Sequence, residues 1–211
     1  MDERATGLVL RVFSLTETSL VVHWLSPVAG RIGTVAKGAR RLKSPFRGKL
    51  DLFHLAEFSF RRSRRSELHT LCEVSLTESF PNLRTDVDLL DCLARATKLL
   101  TRSTEEQTPL QAEFDLLLEL VRRLNGGGAV EFWLSVFEVK FLVSQGQEPD
   151  WAKAKLDLGT RAVGVKMASA GWGDLARLRP SEVQLRRLAG FLDTFIRHHV
   201  GPIKSLAKRA N

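Results

Sequence analysis

The sequence predicts an α+β protein, with a β-rich part over residues 1–80 and an α-helical part over residues 81–211. Between residues 7 and 80, apolar and polar side chains mostly alternate with a period of two, which is typical of half-buried strands. After Pro81 the apolar residues recur at the spacing that places them on one face of a helix. We therefore expect a domain boundary near residue 80.

Five short strands are predicted in the first part. In the fifth, the alternate residues from Leu68 to Leu76 share one face, and Cys72 is interpreted as a small core residue on that face. Turn-forming residues such as Pro27 and Gly30 separate the segments. Strands this short and closely spaced suit a small barrel or a sandwich. The five segments are residues 8–13, 20–25, 32–37, 52–60 and 68–76.

Four helices are predicted in the second part. Thr108 is the expected N-cap of the second helix, with Pro109 at its first position. The third helix is the most densely apolar and should be the central, most buried one. The stretch 146–180 has weak periodicity and receives no assignment. The four segments are residues 85–102, 109–124, 130–144 and 182–199.

The positive charge of the chain is concentrated in one stretch. The net charge is +8, and residues 31–65 hold eleven lysines or arginines against two acids, a local net charge of +9 that leaves about −1 elsewhere. Such a patch indicates an acidic partner, either nucleic acid or an anionic membrane surface. Its position on strands and a loop disfavours the membrane. The expected DNA-binding cations are Arg31, Lys37, Arg40, Arg41, Lys43, Arg47, Lys49, Arg61, Arg62, Arg64 and Arg65.

Two parts of this patch stand at functional positions of the predicted fold. Residues 61–65 form an arginine-rich turn between the fourth and fifth strands, and residues 37–43 open a loop after the third strand, which we expect to be flexible. Phe46 lies in that loop and is the best candidate for stacking on a base. Phe58 and Phe60 are instead expected to pack in the core.

The sequence contains no recognisable motif for catalysis or metal binding. His69 and Cys72 have no second pair to complete a zinc site, and the glycine patterns of phosphate and dinucleotide loops are missing. We therefore expect no enzymatic activity, no cofactor and no metal. Two cysteines, the lack of a long apolar run and the lack of a signal peptide predict a cytoplasmic protein with reduced thiols.

One run of residues has a recognisable likeness. Residues 30–44, which read GRIGTVAKGARRLKS, resemble the signature segment of the RecO family of bacterial recombination mediators. The flanking residues 7–22, 67–71 and 78–80 agree with it. The resemblance is specific over roughly residues 7–82, and it is looser over 136–142 and 201–205.

The resemblance implies an N-terminal five-stranded OB-fold barrel followed by an α-helical domain. It also implies binding of single- and double-stranded DNA, annealing of complementary strands, and action with RecR to load the recombinase RecA on DNA covered by single-strand binding protein (SSB). Such a protein would be associated with the nucleoid in the cytoplasm, and its helical domain would dock the acidic C-terminal tail of SSB.

This chain departs from the family pattern at two places. Many members carry a four-cysteine zinc insertion, but residues 146–180 contain no cysteine, so this region should be held by its own packing. Val136 stands where the family often has a basic residue near the SSB-tail site, and Arg122, Arg123 and Lys140 are the candidates to replace that charge. Two alternatives remain open, namely an OB-fold RNA-binding module without annealing activity and a nuclease or other enzyme.

Overall fold

Five strands close into a barrel in the computed structural model, which describes residues 2–84 and 86–201. The closed order is β1-β2-β3-β5-β4, in which β3 and β5 are parallel and the other neighbours antiparallel. This confirms the predicted five-stranded barrel. The strands are β1 (Glu3–Ser14), β2 (Leu20–Ser26), β3 (Gly30–Ala36), β4 (Leu55–Arg61) and β5 (Leu68–Glu78).

The barrel is filled by aromatic side chains from facing strands. Trp24 of β2 stacks on Phe58 of β4 with ring centroids 4.2 Å apart. The indole Nε1 donates a hydrogen bond of 2.9 Å to Thr34 Oγ1, so its polar group is satisfied inside the core. Phe58 and Phe60 are both buried in this cluster, as expected from their alternation.

The first half of the last strand presents a different face to the core from the one expected, whereas Val74 after it is buried as expected. His69 and Leu71 are each 3% exposed, whereas Leu68 and Thr70 are half-buried. A register shift opposite Ser59 and Phe60 skips Cys72, which is therefore the extra residue of a β-bulge. The thiol is half-exposed, so the prediction that Cys72 is a core residue is wrong.

Helices make up the second part of the chain, after a 3-10 turn at Pro81–Arg84. The central helix α3 packs against α1, α4 and α6, which confirms its predicted position. The unassigned stretch holds α4 and α5. The helices are α1 (Val87–Ser103), α2 (Gln111–Asn125), α3 (Val130–Ser144), α4 (Leu158–Ser169), α5 (Trp172–Leu175) and α6 (Glu182–His199).

The start predicted for the second helix is wrong. The helix begins at Gln111, so neither Thr108 nor Pro109 has the role expected for it. The Leu110 N–H donates to the Pro27 carbonyl at 3.0 Å, next to the hairpin between β2 and β3. Residues 108–110 are therefore used as an attachment to the barrel and not as a helix cap.

The division into compact units differs from a single boundary near residue 80. One unit contains residues 1–81 and 104–118, and the other contains 82–103 and 119–211. Two backbone hydrogen bonds and one close approach join residues 104–118 to the barrel. In that approach Gly30 has φ +69°, and a Cβ there would lie 2.0 Å from the Thr108 carbonyl oxygen.

The helical unit is tied together by one buried ion-pair network. Arg95 of α1 donates to Glu138 of α3 at 2.6 Å and to Asp193 of α6 at 3.1 Å. Glu138 is 2% exposed, so its charge depends on this partner. Burial raises the pKa of Glu138, and the guanidinium of Arg95 opposes that rise.

Residues 146–180 are held by apolar packing and a capped helix. The Asp157 carboxylate accepts from the Thr160 N–H at 2.9 Å and so caps α4. Gly164 lies against the buried Trp151 ring, because a Cβ there would come within 2.4 Å of it. The looser resemblance at 201–205 lies, apart from Gly201, outside the described residues.

Candidate nucleic-acid interface

The predicted basic residues form two groups toward opposite ends of β3. Leu68, where β5 starts, pairs with Gly33, so the β4–β5 turn (residues 62–67) approaches β3 from its N-terminal half. Residues 37–43 instead follow Ala36 at the other end. Seven residues of strand separate the ends of β3 by about 20 Å. The first cation group is Lys37, Arg40, Arg41 and Lys43, and the second is Arg61, Arg62, Arg64 and Arg65.

The first cation group is exposed on a loop that carries its own hydrogen bonds. All four side chains are exposed. The Arg40 N–H donates to the Thr18 carbonyl at 3.0 Å, and the Arg41 N–H to the Gly38 carbonyl at 3.1 Å. Further turns of the same kind continue to residue 49. The loop expected to be flexible is therefore a series of turns that holds its cations at the surface.

Phe46 does not occupy the exposed position predicted for it. Its side chain is only 7% exposed and belongs to the core cluster of the barrel. A ring buried in this way anchors the loop and offers no free face for a base, so the stacking assignment is wrong. Two predicted cations nearby are bound by the protein, since Lys49 donates to the Val74 carbonyl at 3.0 Å and Arg47 to the Leu42 carbonyl at 3.3 Å.

Half of the second cation group is paired with two acids at the start of β1, Glu3 and the preceding Asp2. Arg61 Nε lies 3.0 Å from Asp2 Oδ1, and Arg62 Nε lies 2.8 Å from Glu3 Oε1. These hydrogen bonds lower the pKa of both carboxyl groups. Within the described residues, Arg64 and Arg65 are exposed and take part in no ion pair.

Arg31 is largely buried and is bonded within its own unit. Its side chain is 17% exposed, and Nη2 donates to the Thr104 carbonyl at 2.7 Å. Glu106 lies 3.7 Å away. This arginine attaches residues 104–106 to the barrel. Of the eleven predicted cations, six are thus exposed and unpaired in the described structure: Lys37, Arg40, Arg41, Lys43, Arg64 and Arg65.

An aromatic pair lies on the outer surface of β1 and β2. Phe13 and His23 stack with ring centroids 5.7 Å apart, and the Arg11 guanidinium lies 5.1 Å above the Phe13 ring. Phe13 is 39% exposed. Gly33 of the neighbouring strand has no side chain beside the His23 ring, and the Leu68 side chain lies over this glycine instead, 2.7 Å from where its Cβ would be. Burial, and then the charge of Arg11, lower the pKa of His23 and favour its neutral form.

This aromatic pair was missed by the sequence interpretation. The alternation places Arg11 and Phe13 on one face of β1, and Val21 and His23 on one face of β2, so the signal was present. The sequence interpretation named the loop residue Phe46 as the stacking candidate instead. The outer face of strands two and three is the surface with which OB-folds bind oligonucleotides.

The β4–β5 turn rests on a buried histidine. His69 Nδ1 accepts from the Ser63 N–H at 3.4 Å, and its ring stacks on Phe60 with centroids 5.5 Å apart. Burial, followed by the charge of Arg62, lowers the pKa of His69. A neutral imidazole can accept this hydrogen bond, whereas imidazolium cannot.

Acid should therefore destabilise the barrel through His69. The unfolded chain takes up a proton near pH 6.5, which the folded barrel refuses until lower pH, so the free energy of unfolding falls as the pH drops below about 6.5. Urea unfolding at neutral and mildly acidic pH measures this. Between neutral and mildly acidic pH, His69→Gln should lose less of its free energy of unfolding than the wild type does. A substitution of an exposed histidine, His198→Gln, should not reduce the loss. Equal losses in all three proteins would count against the assignment.

The three candidate residues for the SSB tail lie in the helical unit. Arg122 is exposed. Arg123 donates to Glu119 at 2.7 Å and lies 5.0 Å above the Trp133 ring. Lys140, half-buried, donates to the Ala170 carbonyl at 2.7 Å, and burial lowers its pKa. Trp133 and Lys140 are seven residues apart on one helix, about 10 Å along its axis, so Arg123 and Lys140 are not brought together.

Neither a metal cluster nor a membrane span was found in the part of the chain that the structure describes. No group of three or more His, Cys, Asp or Glu side chains there could hold a metal ion. No described helix is both long enough and apolar enough to cross a bilayer.

Known proteins match both parts of the chain. Residues 1–80 match the family model for the N terminal of recombination protein O, and residues 84–155 match that for its C terminal. A DNA repair protein RecO of Bacillus pumilus is 33% identical over 147 residues, 70% of this chain and 57% of the relative. One from Rhodopirellula baltica is 32% identical over 143 residues, 68% of this chain and 53% of the relative.

The chain thus spans little more than half the length of these curated relatives. The two family models together nevertheless cover most of its residues. The closed barrel followed by helices agrees with that order of domains. The protein belongs to the RecO family of recombination proteins, whose members matched here are named DNA repair proteins.

Proposed function

We propose that this protein is a non-enzymatic DNA repair mediator that binds single- and double-stranded DNA on the barrel. The observation that carries the proposal is the stacked pair Phe13 and His23 on the outer face, with a cation group toward each end of the neighbouring strand. Exposed aromatic rings stack on unpaired bases, and cations in a groove follow the backbone. The two parts together fit a single strand better than they fit a protein partner.

The binding is mainly electrostatic and independent of sequence. Contacts to phosphate carry little sequence information. If the six exposed cations each neutralise a phosphate, the logarithm of the single-strand affinity should fall with the logarithm of salt concentration with a slope of roughly −4. Bringing two polyanions together requires that their charge be screened. The same surface therefore promotes annealing of complementary strands without making or breaking a covalent bond.

The partners in this proposal follow from the family. Acting in the RecF pathway with RecR, the protein would help to load recombinase on SSB-coated DNA in the cytoplasm, at the nucleoid. Arg122 is the candidate residue that remains exposed for an acidic SSB tail.

Strand annealing is the experiment that tests the proposal. Complementary labelled strands are annealed with and without the protein. The strands are either bare, coated with full-length SSB, or coated with SSB that lacks its tail. Annealing that is faster with the protein, and faster on SSB-coated strands only when the tail is present, supports it. Tighter binding to RNA than to DNA of equal length, with no annealing, would favour an RNA-binding module. Cleavage of DNA with magnesium or manganese would show a nuclease.

Phe13→Ala should weaken binding of single-stranded DNA by roughly five- to a hundredfold, because stacking is worth about 1–3 kcal/mol per base. The salt slope should not change, since no phosphate contact is lost. Binding titrations at several salt concentrations measure both quantities. Val143→Ala removes a similarly exposed apolar side chain from the helical unit, 36% exposed against 39% for Phe13, and serves as the control. Wild-type affinity in Phe13→Ala would remove the aromatic pair from the interface.

A further inference from the structure

We propose that Asp2 and Glu3, the carboxylate pair, act as an internal competitor for DNA phosphate. In the free protein they occupy Arg61 and Arg62, and a bound strand displaces them. The inference rests on the proposed DNA binding and adds a regulatory contact to it. It means that the second cation group presents only part of its charge until a polyanion arrives.

The contact geometry is that of an arginine bound to an oxyanion. Arg62 Nε and Nη2 donate to the two carboxylate oxygens of Glu3 at 2.8 and 3.1 Å. Arg61 meets Asp2 with the same two nitrogens, at 3.0 and 3.5 Å. A guanidinium binds phosphate through the same two-pronged arrangement. The carboxylate oxygens therefore stand where phosphate oxygens would bind.

The barrel register fixes the carboxylate pair in this place. Glu3 of β1 pairs with Phe60 of β4, and the strands are antiparallel, so Asp2 falls opposite Arg61. Glu3 begins strand β1 and Asp2 directly precedes it, whereas Arg61 ends β4 and Arg62 begins the turn that follows. The competitor is thus present whenever the barrel is folded.

The ion pairs are weak enough to be exchanged. The side chains of Arg61 and Asp2 are 66% and 41% exposed, and those of Arg62 and Glu3 are both 44% exposed. Ion pairs in such contact with water contribute little to stability and are screened by salt. A strand of DNA offers several phosphates at once, so it can replace both carboxylates where a single small anion cannot.

Arg62 remains in position when Glu3 leaves. Its third nitrogen, Nη1, donates to the Gln107 side-chain oxygen at 2.9 Å. The Gln107 N–H in turn donates to the Arg31 carbonyl at 3.1 Å. Displacement of Glu3 would therefore free the Nε and Nη2 edge of a guanidinium that is still held in place. On the same turn Arg64 and Arg65, without ion pairs in the described structure, would make the first contact.

The test is a binding titration with the full chain and a labelled single-stranded oligonucleotide over a range of salt concentrations. Neutralising the carboxylate pair with Asp2→Asn and Glu3→Gln should tighten binding about three- to tenfold at low salt, since two exposed ion pairs no longer compete. The salt slope should stay near that of the wild type, because Arg61 and Arg62 contact phosphate in both proteins once the strand is bound. The amides keep neutral acceptors, and thermal unfolding checks the fold.

The control variant is Asp150→Asn with Asp174→Asn. It makes the same change in net charge and releases two exposed cations, Lys153 and Arg177, in the helical unit. An equal gain in affinity in this control would overturn the inference, as would unchanged binding in the test variant. If the test variant unfolds, Asp2→Asn alone carries the same test, because Asp2 pairs with Arg61, the more exposed of the two arginines.

A third protein separates this inference from the proposed function. Arg64→Ala with Arg65→Ala should weaken binding, because both cations are open in the free protein. If that variant binds as the wild type does, the β4–β5 turn is not part of the DNA interface. If it binds more weakly while neutralising the carboxylate pair has no effect, the interface stands and the competitor is rejected.

Discussion

Replacing the six predicted cations that are exposed and unpaired by glutamine should weaken single-strand binding roughly a thousandfold or more at low salt and make the salt slope shallower by about 4. None of the six holds an ion pair in the described structure, so their loss removes contacts to DNA and leaves the fold intact. Surface changes of this kind usually alter stability by no more than about 0.5 kcal/mol. The residues are Lys37, Arg40, Arg41, Lys43, Arg64 and Arg65.

Net charge is the confounding variable in this experiment. A control that removes six exposed cations from the helical unit reaches the same net charge, +2 instead of +8. If position matters, the control should retain most of the affinity and most of the salt slope. Equal losses in the two variants would show that overall charge, and not the barrel surface, attracts DNA. The control residues are Lys153, Lys155, Lys166, Arg177, Arg179 and Arg186.

Arg95→Ala should destabilise the helical unit by about 3–5 kcal/mol, because it leaves the buried charge of Glu138 without its partner. Domains are commonly stable by only about 5–15 kcal/mol, so this single change removes a large fraction of the total. Chemical denaturation followed by circular dichroism measures it. The carboxyl group would escape part of the penalty by taking up a proton.

That escape gives the prediction a pH signature. Burial gives Glu138 a higher pKa in the folded protein than in the unfolded chain. Its contribution to the free energy of unfolding is therefore largest at low pH, and it is lost as the pH rises through the folded-state pKa. The deficit of Arg95→Ala should therefore shrink in mild acid. Arg197→Ala, which removes the other, exposed partner of Asp193, should cost little. A small, pH-independent deficit in Arg95→Ala would contradict the role given to the network.

The sequence predicts the barrel and the main helices because their periodicities differ. Period-two alternation identifies the strands as long as the alternation is unbroken. It fails at Cys72, where a bulge inserts one residue and turns the following side chains to other faces. Burial of Phe46 could not be read from the sequence either, since an apolar residue in a loop either anchors the loop or faces the solvent.

The candidate site was predicted in outline and not in its contacts. The local charge excess predicts a set of cations of which six are exposed and unpaired in the described structure, but it also counts Arg31 and Lys49, which bond to carbonyl groups of the protein. The pairing of Arg61 with Asp2 joins residues 59 positions apart. Such a contact follows only from the closure of β1 onto β4, which composition does not encode.

The attachment of residues 104–118 also constrains the order in which the chain can mature. Gln107 and Leu110 donate hydrogen bonds to carbonyl groups beside the β2–β3 hairpin, at Arg31 and Pro27. On a ribosome these groups emerge only after the whole of α1 has been synthesised. The compact unit that contains the barrel is therefore not complete when the fifth strand leaves the exit tunnel. A fragment cut at residue 81 would lack part of its own unit, and the smallest continuous piece that contains the unit ends at Leu118.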